Sequence, residues 1–204
     1  MPGVLKIEGS QVLTGNGSGV LSWSSGVPAG TIIQVVGKTL KNTDVSETGT
    51  FDQSDALSGY KAISGFEIDI SPKQTNSDFH VITTASVGGD GNGEGMILLK
   101  RGYDASGGTS FTYTDIKGDA SGSSTRASYS TYYDFPSYLL VTVTMHVWDS
   151  DISYASGGKF RYKLYWNNPN NTTGDLYLNR SAANNNSEKA TGISSIIVQE
   201  IAGT

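Results

Sequence analysis

The chain has 204 residues, no cysteine and a formal net charge of -5. Those figures exclude a disulfide scaffold and a thiol nucleophile, and they argue against a nucleic-acid partner, which calls for a basic patch. Hydrophobic residues make up 36% and charged residues 16%, against roughly 45–50% and 25% in ordinary globular chains. Glycine, at 26 residues, fills the difference together with Ser, Thr and Asn. This composition fits a loop-rich β protein, or a surface that assembly covers. Eleven tyrosines against six phenylalanines fit it too, because tyrosine packs its ring and keeps a hydroxyl for water.

In chain order, residues 1–30 read as a polar N-terminal arm. Its apolar islands are Val4, Leu5 and Ile7, then Val12 and Leu13, then Leu21 and Trp23, spaced by Gly, Ser and Asn. Islands so thinly spread cannot build a core. A flexible linker would have little use for Leu21 and Trp23, so these seven residues are the candidate anchoring positions. They would order against a partner chain, for example by adding a strand to a sheet edge; the bland alternative is a frayed terminus. The first residues lack the basic-then-apolar pattern of a signal peptide. No run approaches the ~18 apolar residues that span a bilayer. Cytoplasmic synthesis without membrane insertion is the expectation.

From Thr31 the chain reads as strands, beginning with a run over 31–36. Phe66, Ile68 and Ile70 alternate with Glu67, Asp69 and Ser71. Further strands are predicted at 79–88, 95–101, 109–116 and 125–133. Leu139, Val141, Val143, Met145 and Val147 then share one face, with Leu140, Thr142, Thr144, His146 and Trp148 on the other. Phe160, Tyr162, Leu164 and Trp166 alternate with Lys159, Arg161, Lys163 and Tyr165, and strands at 175–180 and 193–201 close the chain. Asp90-Gly91-Asn92-Gly93, Gly107-Gly108, Gly118-Asp119, Gly157-Gly158 and Asn167-Asn168-Pro169-Asn170-Asn171 separate them as turns. About ten strands without a helix predict an all-β domain over 31–204, a two-sheet β-sandwich of jelly-roll type. His146, Trp148, Tyr165 and Tyr177 sit at outer positions of late strands. They are the candidate subunit-interface residues, since aromatic side chains are enriched at interfaces; a partly exposed ring is the ordinary alternative.

The chemical inventory is thin. Neither a G-x-S-x-G elbow nor an H-E-x-x-H pair is present. His80 and His146 are the only histidines, each inside a predicted strand. Hydrogen bonding or an interface role is the simpler reading than a base; along a symmetry axis they would respond to pH near neutrality. Asp149 with Asp151, and Glu67 with Asp69, have the spacing to share a face as a glycosidase pair would, although a solvated strand end or turn is by far the simpler explanation. Asp90 to Glu94 resembles the first half of a calcium loop, but Arg101 stands where the twelfth position needs Glu. The glycine-rich stretches 15–19 and 89–95 lack the following helix of a phosphate loop. Sequons at Asn16, Asn171, Asn179 and Asn185 require a secretory route. No catalytic residue, cofactor or metal is expected.

The order of segments is more specific than any one of them. Pro28-Ala29-Gly30-Thr31-Ile32-Ile33-Gln34-Val35-Val36 is followed by Ile68-Asp69-Ile70-Ser71-Pro72-Lys73 and Leu98-Leu99-Lys100-Arg101-Gly102. Then come Trp148-Asp149-Ser150, Tyr162-Lys163-Leu164, Leu176-Tyr177-Leu178-Asn179-Arg180-Ser181 and Ser195-Ile196-Ile197-Val198-Gln199-Glu200-Ile201. Over residues 28–202 this series resembles a family of small fibre, tip and virion-surface proteins of tailed bacteriophages, abundant among phages of marine bacteria. The stretch from Leu13 to Trp23 is similar to the glycine-rich lead-in of such proteins.

The resemblance implies a jelly-roll module of tumour-necrosis-factor and complement-C1q type. It implies a homotrimer on the virion surface, held through its N-terminal side with distal loops outward. The chain lacks the long adaptor and shaft of many phage fibres, so attachment falls to residues 1–30. The implied partners are further copies of the chain, other virion proteins (capsid, tail or fibre) through the arm, and a host surface glycan or protein. Tyr129, Tyr132, Tyr133 and Tyr138 are the candidate receptor contacts, as rigid amphipathic rings bind at low entropic cost; core or interface positions are the alternative. A head-decoration protein with a purely structural role is the competing expectation, and a polysaccharide depolymerase a further one.

Overall fold

The computed structural model describes residues 4–7, 10–15, 21–23, 27–43, 45–47, 59–118, 127–135, 137–150, 152–168, 175–183 and 191–203. For 4–7, 10–15, 21–23, 47, 90–94 and 131–135 it describes the backbone only. Among these residues every long element is a strand: β1 Val4–Ile7, β2 Ser10–Gly15, β3 Leu21–Trp23, β4 Ile32–Leu40, β5 Ser46–Glu47, β6 Lys61–Ile70, β7 Asp78–Asp104, β8 Thr112–Ile116, β9 Tyr129–Phe135, β10 Leu140–Asp149, β11 Lys159–Asn167, β12 Asp175–Leu178 and β13 Ser194–Ile201.

β4 to β13 form two antiparallel sheets. In the first, called the β4 sheet, the order is β4-β13-β7-β10, and β12 and β5 extend the β13 and β4 side beside residues 87–90 of β7. In the second, the β6 sheet, the order is β6-β11-β7, with β8 and β9 side by side along the far edge of β7. Leaving out the short β5 and β12, and counting the two halves of β7 separately and β8 with β9 as one, gives eight strands. The first, eighth, third and sixth make one sheet; the second, seventh, fourth and fifth make the other. That interleaving is the jelly roll.

β7 joins the sheets. Its residues 78–90 pair in the β4 sheet, from Asp78↔Ile201 to Asp90↔Asp175, and 91–104 pair in the β6 sheet, from Gly91↔Phe135 to Asp104↔Lys159. The expected turn at 90–93 is therefore a strand that bends from one sheet into the next, with irregular register between Gly91 and Met96. Glycine, Asp and Asn serve a bulged corner as readily as a hairpin turn. A second bulge lies in β6: Gly65 has φ +74°, and β11 pairs Lys163 with Glu67 but Tyr165 with Ala62. The insertion flips the side-chain phase, so Ile63 and Phe66 both face inward and are fully buried. The strands expected at 109–116 and 125–133 are β8, starting at Thr112, and β9, starting at Tyr129.

The core fills the space between the sheets. Phe79, Val81, Ala85 and Val87 of β7, Val143 and Met145 of β10, and Ile196 and Val198 of β13 face Phe160, Tyr162, Leu164 and Trp166 of β11. Burial of each large side chain contributes about 1.5–3 kcal/mol. At one end Phe160 stands edge-on to Phe79 (5.2 Å) and Tyr154 (5.0 Å). One polar tie crosses the core: Arg101 of the β6 sheet donates to Asp149 of the β4 sheet at 2.5 Å, and Tyr162 Oη donates to the other Asp149 oxygen at 2.7 Å. Burial, then the Asp149 charge, pushes the Tyr162 hydroxyl well above its ordinary pKa.

The expected arm carries strands of its own. β1, β2 and β3 pair antiparallel in that order, and the register sets Leu5 opposite Leu13 and Leu13 opposite Trp23. Val4 and Ile7 also lie on β1, Val12 on β2 and Leu21 on β3. The chain then enters the sandwich through a turn at 28–31. Thr31 N donates to Pro28 O, and Gly30 (φ +80°) donates to Ala202 O beside the last strand. Loops 71–77, 105–111 and 150–158 share this proximal end. The β7 corner and the connections after β4, β9, β11 and β12 leave from the opposite, distal end.

Candidate functional site

The two sheets present different chemistry to the outside. In the β4 sheet, strand alternation sends Val35, Gly37 and Thr39 of β4 outward, with Ser195, Ile197 and Gln199 of β13, His80, Ile82, Thr84 and Ser86 of β7, and Thr142, Thr144, His146 and Trp148 of β10. None of these positions carries Asp, Glu, Lys or Arg. Trp148 is 56% exposed and Val35 55%. The polar groups satisfy one another sideways: Thr84 Oγ1 meets Thr144 Oγ1 at 3.3 Å, and Ser86 Oγ meets Thr142 Oγ1 at 3.0 Å. Such cross-strand hydroxyl pairs leave little unspent polarity pointing away from the sheet. Lys38, the charged residue of β4, turns off this face and its Nζ donates to Gly65 O of β6 at 2.6 Å.

His80 and His146, 66 residues apart in sequence, meet on this face. The β7–β10 register sets Trp148 opposite His80 and His146 opposite Ile82. The His80 ring centroid therefore lies 5.7 Å from that of Trp148 and 5.5 Å from that of His146. His80 Nδ1 pairs with Gln199 Oε1 of β13 at 3.1 Å. Among the described residues, charges stand at the margins of this face. Asp78 stands at the proximal end of β7, and at the distal end Arg180 stacks over Tyr177, 3.9 Å from the ring centroid.

The outer face of the β6 sheet is laced with ion pairs. Arg161 forks onto Asp69 at 2.6 and 3.0 Å, Lys163 meets Glu67 at 3.4 Å, and Lys100 meets Asp115 at 3.0 Å. Burial works against the Asp115 charge, but hydrogen bonds from Lys100 and Lys117 outweigh it and hold its carboxyl below the usual value. Aromatic rings lie beneath the cations: Arg161 over Phe111 at 4.4 Å and Lys100 over Tyr165 at 4.7 Å. Gly102 makes room for this layer, since a Cβ there would stand 2.9 Å from both Phe111 Cβ and Tyr113 Cε1.

Three of the four candidate interface residues thus share the β4 sheet: His146 and Trp148 together on β10 toward its proximal end, Tyr177 at its distal margin. Tyr165 lies on the opposite side of the sandwich, edge-on to Tyr113 at 6.3 Å. Of the candidate receptor contacts, Tyr138 is 67% exposed at the distal end. Tyr129 opens β9 opposite Ile97 and is exposed, and Tyr132 and Tyr133 lie further along β9, where the backbone alone is described. The carboxylates have other employment: Asp69 and Glu67 in ion pairs, Asp149 in the core tie. Asp151 lies outside the described residues.

A polar groove of about 430 Å³ opens at the proximal end among Thr75, Asn76, Ser77, Asp78, Ser153 and Tyr154. Two of its residues, Ser77 and Tyr154, bond inward. Tyr154 Oη accepts from Ser77 N (2.9 Å) and donates to Gln74 O (2.7 Å). Ser77 Oγ donates to the fully buried Glu200 (2.6 Å), which also receives Lys73 N (2.8 Å). The network pins the β6–β7 loop to the last strand. Among the described residues no group of three or more His, Asp and Glu has the spacing of a metal site, and no helix is long and apolar enough to cross a membrane. Sequence periodicity found the outer positions of β10, but pairing His80 with His146 requires the β7–β10 register, for which there is no local signal. Neither a protein-family model nor a curated protein matches the chain.

Proposed function

We propose that this protein is a non-enzymatic, homotrimeric jelly-roll knob on a phage virion, assembled through the outer face of the β4 sheet and attached by its N-terminal segment. The observation that carries the reading is the uncharged face described above. A chain of net charge -5 repels its own copies over most of its surface, so a broad face without formal charge is where copies meet at least cost. Trp148 and Val35 supply exposed apolar area, and Trp is among the residues that anchor interfaces. The number three comes from the resemblance to phage surface proteins.

The fold supports the direction of attachment. The N-terminal segment joins the sandwich at its proximal end, through the Gly30–Ala202 bond, and Tyr138 stands exposed at the other. That exposed tyrosine favours a role in host contact over pure head decoration. Antibody raised against residues 31–204 and labelled with gold should decorate intact phage particles in electron micrographs. Particles that carry the gene product but bind label only after disruption would overturn a surface location.

A further inference from the structure

On the β4 face, taken as a self-association surface, the pair of histidines on β7 and β10 still has no part to play. Asp78 of β7 and Asp175 and Tyr177 of β12 stand at the two ends of that face; between them, among the described residues of β4, β13, β7 and β10, His80 and His146 are the titratable outward groups, with ring centroids 5.5 Å apart. The groups facing His80 are Trp148 and His146 from β10, Gln199 from β13 and, two residues back on its own strand, Asp78. His146 faces Ile82 and His80 from β7, and on its other side β10 has no paired strand among the described residues. Within the face no carboxylate is set against either ring; Asp78 stands at the margin.

We infer that His80 and His146 make assembly of this protein pH-sensitive, holding the copies together at neutral pH and releasing them in mild acid. The inference rests on the proposed interface. In the free chain His146 is exposed and His80 half-exposed, so water reaches both rings. In the assembly the proton would be held under an uncharged partner surface, and the repulsion between two charged rings, already present in the free chain, would lose the screening of water. Both effects disfavour the charged form once the face is covered. A group protonated more readily when free than when assembled weakens assembly as pH falls through its range. For histidine that range lies around 6.5. Each unit of difference between the two states is about tenfold in the association constant per histidine.

Sedimentation velocity of the full chain at pH 7.5 and pH 5.0, with circular dichroism at both, tests this. The expected result is an oligomer at pH 7.5, a monomer with an unchanged β spectrum at pH 5.0, and an H80Q/H146Q variant that stays oligomeric at both. An oligomer of the natural chain that persists at pH 5.0, a variant that still dissociates there, or dissociation with loss of the spectrum overturns the switch and leaves the interface standing. A monomer at pH 7.5 removes the interface and the switch with it. Should the double variant fail to assemble at all, the H146Q single variant decides: its dissociation midpoint must move to lower pH, and an unmoved midpoint overturns the inference.

Discussion

On the β6 sheet Asp69, Glu67 and Asp115 each hold a Lys or Arg within 3.4 Å, whereas inside the margin marked by Asp78 the outward positions of β4, β13, β7 and β10 offer hydroxyl, amide, imidazole and apolar groups. Both faces arise from the same alternation, in which every second residue leaves the core. Alternation decides only which residues point out. What they meet there is written in their chemistry: the ion pairs and cation–ring contacts of the β6 face suit water, and the charge-free β4 face suits another protein surface. Arg101 and Asp149 tie the two sheets back to back, so the contrast depends on a buried link as much as on the faces.

The largest expected effect comes from breaking that link. Arg101→Met leaves the Asp149 carboxylate buried beside Tyr162 without its cation, and should cost about 3 kcal/mol or more in urea unfolding; a loss under 1 kcal/mol would mean the tie contributes little. Next is Trp148→Ala, which should leave the fold intact and weaken association by about 2–4 kcal/mol, roughly 30- to 1,000-fold in Kd. Sedimentation equilibrium reads this directly, and Tyr165→Ala on the other face is the control that should leave Kd unchanged.

Tyr162→Phe comes third. At neutral pH it removes one donor from Asp149, a loss of about 1–3 kcal/mol. Its pH dependence carries a sign. Burial and the Asp149 charge raise the folded-state pKa of Tyr162, so the unfolded chain releases this proton first. The associated stability is complete below the unfolded value of about 10 and is lost as pH rises above it. The Phe variant should therefore lose less stability than the natural chain between pH 9 and pH 11; parallel losses would contradict the assignment. The smallest effect is Asp69→Asn, which breaks the Arg161 fork on the solvated face. A change of about 0.2–1 kcal/mol in stability is expected, with none in association. A large change in association would place the interface on the wrong sheet.

Much of the sandwich was legible in the sequence. Leu139 to Val147 and Phe160 to Trp166 alternate as the buried faces of β10 and β11 require, and the two-sheet architecture follows from such strands. The 90–93 segment was not legible, because a sheet-to-sheet corner and a hairpin use the same Gly, Asp and Asn. The inner face of β6 was half-read: Phe66, Ile68 and Ile70 were found, but the bulge at Gly65 shifts the phase and hides Ile63. In the arm the apolar islands were visible, while their pairing into β1, β2 and β3 depends on register. The candidate surface divides in the same way. Trp148 and His146 were identifiable from the period of β10 alone. That Tyr165 belongs to the opposite sheet, and that His80 lies beside His146, are facts of topology and register that no local pattern encodes.

Self-association through the outer face of the β4 sheet is the proposal on which the rest depends. Native mass spectrometry of the full chain at neutral pH, beside an Ile82→Lys variant with a charge at the centre of that face, tests it most directly. The expected masses are those of three chains for the natural sequence and of one folded chain for the variant. A natural chain that remains a monomer, or a variant that assembles as well as its parent, would contradict it.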